Sequence, residues 1–204
     1  MRVFIIAGSM AYRTLFNNLG HEIVEDINDA ELLCFTGGAD VSPELYGESK
    51  HPHTSTNPQR DEDEQVFYKF ALNKRIPMVG ICRGAQFLHV MNGCKLWQHV
   101  DHHAIGGTHE ATDEQTGDVV HVTSTHHQMM SYDFGVGELV CTAKESVRKE
   151  NMRYGKLNSV LSHIDVEVVW HGNTKCLCFQ PHPELRGADS TYLYFKNLME
   201  RYYE

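Results

Sequence analysis

Cys82 stands in GICRGAQ (80–86), where the apolar run IPMVGIC (76–82) gives way to the helix-forming stretch RGAQFLHVMNG (83–93). A sharp strand-to-helix turn at this point would lift the thiol clear of a sheet, with Gly80 and Gly84 leaving room for it. The first turn of the helix would aim free N–H groups and the positive end of its dipole at the sulfur. Both favour the thiolate, which is the reactive form in nucleophilic catalysis. The same residue types also fit a buried cysteine at the end of a core strand. A second set of residues decides between the two. In CFQPHPEL (178–185), His182 and Glu184 are two apart, so in an extended segment both project to one side. Pro181 and Pro183 hold the segment extended. A carboxylate beside an imidazole fixes its tautomer and stabilises its protonated form. Alone, His-Pro-Glu reads more readily as a surface turn. With a strand-helix cysteine upstream, the set predicts a Cys82–His182–Glu184 triad.

These residues need a scaffold, and the first half of the chain predicts one by alternation. RVFIIAG (2–8) reads as a strand, AYRTLFNNLG (11–20) as a helix closed by Gly20, HEIVE (21–25) and AELLCFTGG (30–38) as strands. A loop rich in Pro, His, Ser and Thr spans 39–58. DEDEQVFYKFALNKR (61–75) opens acidic and closes basic, which suits a helix dipole. Strands alternating with helices imply a parallel sheet covered on both faces. The second half changes character: 117–128, 137–145, 165–172 and 175–184 read as strands joined by turns, and 190–204 as an amphipathic closing helix. No repeat or linker divides residues 1–204, so one domain is expected.

Bulk properties narrow the functions. The chain has 204 residues, 41% hydrophobic and 22% charged, as in ordinary globular proteins. Its formal net charge of −9 argues against a nucleic-acid surface, which needs clustered Lys and Arg. The N-terminal apolar run is too short for a signal peptide, and no stretch approaches the roughly 18 apolar residues of a membrane span. A cytoplasmic protein with six reduced, mostly buried cysteines is expected.

TGGAD (36–40), GICRGAQ (80–86) and FQPHPE (179–184), in this order, resemble the class I glutamine amidotransferases. Within that superfamily the chain is similar to the γ-glutamyl hydrolase branch, through VSPELYGE (41–48), RDEDE (60–64) and TSTHHQ (123–128), the last resembling the branch's Asn-Ser-x-His-His-Gln segment. The resemblance implies an α/β three-layer sandwich with a mostly parallel central sheet of the flavodoxin-like kind. It implies a γ-glutamyl thioester on Cys82, proton transfer by His182, and orientation of His182 by Glu184. It places the oxyanion hole at the backbone N–H of Arg83 and one from the Gly37–Gly38 loop. Gln86, Ser124, His126 and His127 correspond to the lining of the glutamyl pocket. The substrate would be a γ-glutamyl amide or glutamine, with no cofactor. The alternative implied activity is that of a glutaminase subunit feeding ammonia to a separate synthetase partner. The chain departs from the branch at His89, at Gly93-Cys94 and at Thr123, which stands where the branch has Asn.

Other residues carry weaker expectations. The fourteen histidines include His99, His102, His103 and His109, whose spacing matches no zinc signature, so no metal is expected. The acidic run Asp61–Glu64 reads as a helix N-terminus. Arg60 could meet a substrate carboxylate. Tyr192, Tyr194 and Phe195 read as core. The stretches 39–58 and 99–116, read as loops, would supply contacts to a leaving amine.

Overall fold

The computed structural model describes residues 1–132, 135–161 and 164–204. Its first half is the expected alternation: β1 (Arg2–Ile6), α1 (Met10–Asn18), β2 (Glu22–Ile23), β3 (Leu32–Phe35), α2 (Pro58–Lys74), β4 (Met78–Ile81) and α3 (Arg83–Met91). The second half holds β5 (Leu96–Trp97), β6 (His99–Val100), β7 (Ala104–Asp113), β8 (Val119–Thr125), β9 (Met129–Met130) and β10 (Glu138–Ala143). It continues through β11 (Arg148–Arg153), β12 (Lys156–Leu161), β13 (Asp165–His171) and β14 (Cys176–Phe179) to α4 (Asp189–Tyr203).

Nine strands form the central sheet in the order β2-β1-β3-β4-β14-β13-β10-β7-β8. From β2 to β14 neighbours run parallel, and from β14 to β8 they run antiparallel. The parallel half carries its burial in its composition. LLCF of β3, MVGI of β4 and CLCF of β14 are buried at every position, as strands covered on both faces must be. One face packs Tyr12, Leu15 and Phe16 of α1 with Phe195, Leu198 and Met199 of α4. The other packs Tyr68 and Ala71 of α2 with Phe87, Leu88 and Val90 of α3. Cys34 faces the first cluster and Leu33 the second, the alternation that makes three layers. A fully buried Phe or Leu in these layers contributes roughly 1.5–3 kcal/mol.

Several boundaries differ from expectation for local reasons. Helix α2 starts at Pro58 rather than Asp61, because the Asn57 side chain caps it by accepting from the N–H of Arg60 and Pro58 suits the first turn. The strand expected over 175–184 stops at Phe179. The stretch 99–116, expected as loop, is mostly strand: β7 pairs with β8 and β10. Its Gly, Thr and charged residues hid it, because much of β7 is exposed and needs no apolar face. The charged hairpin β11–β12 was hidden in the same way. It turns at Tyr154 and Gly155, both at positive φ, and forms a small sheet with β6. None of the six cysteines, all among the described residues, is in a disulfide. Among the described residues no helix is long and apolar enough to cross a membrane.

Candidate active site

Three segments meet at the carboxyl ends of the parallel strands. Cys82 follows β4 and is the N-cap of α3, with φ 52° and ψ −112°. That conformation is strained for a residue with a Cβ, by about 1–3 kcal/mol, and persists only where the surroundings enforce it. The surroundings are close-packed. A Cβ on Gly80 would lie 2.4 Å from the Gly84 carbonyl oxygen, and one on Gly84 would lie 2.1 Å from the Phe35 carbonyl oxygen. Only glycine at both positions lets the turn fold against β3. The Cys82 N–H donates to Phe179 O (2.9 Å), which ties the turn to β14.

The segment after β14 brings His182 and Glu184 to the sulfur. Nδ1 of His182 donates to Glu184 Oε1 at 2.6 Å, and the ring also hydrogen-bonds Cys82. Burial opposes the charged imidazole, yet the sulfur and the carboxylate outweigh it and push its pKa up to about 10. At neutral pH the ring is therefore an imidazolium, held between the sulfur and the carboxyl group. Thr123 at the end of β8 fixes the backbone of this segment. Its hydroxyl accepts from His182 N–H at 2.6 Å and meets His182 O at 3.3 Å. This threonine stands where the resembling branch carries Asn, and nothing in the residue pattern points to its role.

The Gly37–Gly38 loop lies against the imidazole: a Cβ on Gly37 would come within 3.0 Å of His182 Cε1. The Gly37 N–H donates to the Tyr12 hydroxyl (2.9 Å). Burial and the nearby Glu184 charge raise the pKa of this phenol, so it stays protonated. Arg60 grips the loop through the carbonyls of Gly37 (2.9 Å) and Thr36 (2.8 Å), and pairs with Glu64 at 2.8 Å. Its donors are thus directed at backbone and at Glu64. The buried Arg83 guanidinium pairs with Asp61 and Glu64 and donates to Ala39 O at 3.1 Å. The acidic start of α2 therefore does more than suit the dipole. It clamps α3 to the glycine loop.

The remaining candidates are placed as follows. Gln86 is buried, and its amide donates to Gln128 O and Gln180 Oε1, both at 3.1 Å. His127 meets Asp40 at 3.1 Å beside the 39–58 loop, and this hydrogen bond raises its pKa against the cost of burial. Ser124 Oγ donates to His103 O at 2.8 Å, and His126 Nε2 lies 3.9 Å from Glu167 Oε1. Tyr194 and Phe195 are core, with Tyr192 packed at its margin. A cavity of about 760 Å³ lies behind Glu184, between α1 and residues 183–192, and does not include Cys82.

Comparisons with known proteins give the chain's relatives and its fold. The Peptidase C26 family model matches residues 7–148. A glutamine amidotransferase-like protein of Lactococcus lactis subsp. cremoris is 38% identical over 96 residues, 41% of this chain and 51% of that one. A Mycobacterium tuberculosis protein that carries the name of a glutamine amidotransferase is 30% identical over 195 residues, 85% of this chain and 56% of that one. The chain thus spans about half the length of these relatives. The fold is that of a glutamine amidotransferase from Thermotoga maritima (TM-score 0.61, 16% identity, 98% of this chain and 84% of that one). It is also that of a chain in the PurLQS structure from Thermotoga maritima (TM-score 0.64, 15% identity, 98% of both chains). The chain belongs to the Peptidase C26 family, a glutamine amidotransferase-like hydrolase family within the class I glutamine amidotransferase superfamily.

Proposed function

We propose that the chain hydrolyses a γ-glutamyl amide through Cys82, His182 and Glu184. The observation that carries this reading is the placement of His182 between the strained Cys82 turn and Glu184. The thiolate attacks the γ-carbonyl carbon and the carbonyl electrons move onto oxygen. Gly37 N–H is committed to Tyr12, so the oxyanion donors we assign are the N–H groups of Gly38 and Arg83. Such preorganised donors are worth about 3–4 kcal/mol each. The His182 imidazolium then gives its proton to the leaving nitrogen, the C–N bond breaks, and a γ-glutamyl thioester remains on Cys82. The imidazole, now neutral, takes a proton from water, which attacks the thioester and releases glutamate. Glu184 holds the ring in the tautomer both steps need. A small γ-glutamyl amine is the substrate, and the 39–58 loop supplies contacts to its amine, since most of 99–116 is strand.

A second reading, a glutaminase subunit serving a synthetase, is favoured by one observation. The solved structures that share the fold include a GMP synthase subunit from Thermoplasma acidophilum and the PurLQS structure. Glutamate release by the isolated protein separates the two. A stand-alone hydrolase draws binding energy from the leaving amine, so at least one γ-glutamyl amine is cleaved with kcat/KM about tenfold above glutamine, or roughly 1.4 kcal/mol. If every amine is cleaved no faster than glutamine, and a co-purifying synthetase accelerates glutaminase turnover, the second reading replaces the first.

A further inference from the structure

Along β7 and at the end of β8, three histidines surround one buried carboxylate. Glu167 is fully buried, and a register shift in the β10–β13 pairing between Cys141 and Thr142 makes it the extra, bulged residue of β13. Bulges redirect side chains, and this one turns Glu167 towards β7 and β8. Its Oε1 lies 3.0 Å from His109 Nε2, 3.5 Å from His103 Nδ1 and 3.9 Å from His126 Nε2. Among the described residues these histidines are its ion-pair partners. The nearby Lys149 ammonium is taken by Asp165. Neither Glu167 oxygen, nor His109 Nε2, nor His126 Nε2 makes a hydrogen bond of good geometry. A buried carboxylate with no well-aligned partner is costly, and so are two orphaned ring nitrogens beside it.

The far sides of two rings explain what the near sides are for. His103 Nε2 donates to Asp165 Oδ2 at 3.1 Å, and His126 Nδ1 donates to Gln128 O at 2.8 Å. Each ring thereby turns its other nitrogen towards Glu167. A carboxylate or carbonyl behind a histidine is the usual outer support of a metal-binding imidazole. The Ser124 hydroxyl donates to His103 O at 2.8 Å, and its oxygen lies 3.5 Å from His103 Nδ1. Ligand atoms of His103, His109 and Glu167 all lie within 4.8 Å of one another. The separations from Glu167 bracket the ~3.3 Å between donors of a tetrahedral site with bonds of about 2.0–2.1 Å. A cavity of about 260 Å³ opens on His103, His109 and Val147 and gives access.

We propose that His103, His109, His126 and Glu167 bind one divalent transition-metal ion of the zinc type. Three imidazoles and a carboxylate suit zinc, cobalt or nickel over the hard cations, which prefer all-oxygen sites. The ion joins β7, β8 and β13, and supports Thr123 and, through the Gln180 N–H bond to Glu167 O, the start of the His182 segment. The sequence hid the site because its ligands lie far apart along the chain and match no short zinc signature.

The test is independent of the hydrolase reading. The purified chain is stripped with a chelator, dialysed against zinc, and its metal counted by mass spectrometry. Parallel samples carry His109→Ala, Glu167→Gln, and His53→Ala on the separate histidine group of the 39–58 loop. Expected are about one zinc per chain in wild type and His53→Ala, affinity at least about tenfold weaker in His109→Ala and Glu167→Gln, and a zinc-dependent rise in Tm in wild type and His53→Ala only. Cobalt should give visible bands of low-coordinate cobalt that His109→Ala removes. His109 is partly exposed, so this variant keeps the fold even where Glu167→Gln does not. No zinc retained by wild type, or equal retention by His109→Ala, overturns the proposal.

Discussion

His182 faces sulfur on one side and carboxylate on the other, and each contact raises its pKa. In the proposed mechanism acylation needs the imidazolium, so kcat/KM should fall on the alkaline side as the ring loses its proton near pH 10. Glu184→Gln removes one of the two raising influences, so that limb should move to lower pH. His182→Ala removes the proton carrier itself and should cost about 100-fold or more, whereas Glu184→Gln should cost less. A pH–rate series on the three proteins checks both statements. An unmoved limb, or a greater loss in Glu184→Gln, would mean that the carboxylate does something other than orient the ring. The three residues of the proposed triad were singled out from type and spacing, because a nucleophile, a base and a carboxylate must occur in a fixed relation. Tyr12 and Thr123 were not, because a hydroxyl that fixes backbone carries no spacing signature.

Glycine contacts and one buried ion network hold the elements that place these residues. Gly84→Ala would drive a Cβ into the Phe35 carbonyl and separate α3 from β3, at a cost of about 1–3 kcal/mol in urea unfolding. Glu64→Gln leaves Arg83 and Arg60 each with a weakened partner in a buried site, and should cost about 3–5 kcal/mol. Losses under about 0.5 kcal/mol in both would show that the clamp does not hold the loop. Fold legibility followed burial. β3, β4 and β14 announced themselves because strands covered on both faces have to be apolar throughout. β7, β11 and β12 did not, since exposed or weakly covered strands accept Gly, Thr and charge, and their pairing partners are settled by register rather than by pattern. The turn at Tyr154-Gly155 was their one local signal.

Across the whole molecule, buried neutral histidines make stability depend on acid. Burial, and then His171, hold His89 down to about 3, and its ring meets Ser131 O at 2.7 Å and His171 at 3.1 Å. Unfolding restores an ordinary value near 6.5, so between pH 6.5 and about 3 the unfolded chain binds the extra proton. Stability should therefore drop as pH falls through that window, by up to ~1.4 kcal/mol per pH unit from this residue. Unfolding midpoints in urea at about pH 7, 6 and 5 check it; a flat series would contradict a neutral buried His89. The central claim, that Cys82 is the nucleophile acting on a γ-glutamyl carbonyl, is tested most directly by trapping. After exposure to the glutamine-like electrophile diazo-oxo-norleucine, peptide mass mapping should find one adduct, on Cys82, with glutamate release lost in proportion. Cys82→Ala should be unlabelled, folded and inactive. Labelling at Cys34, Cys94 or Cys141 instead, or near-wild-type turnover by Cys82→Ala, would contradict the account.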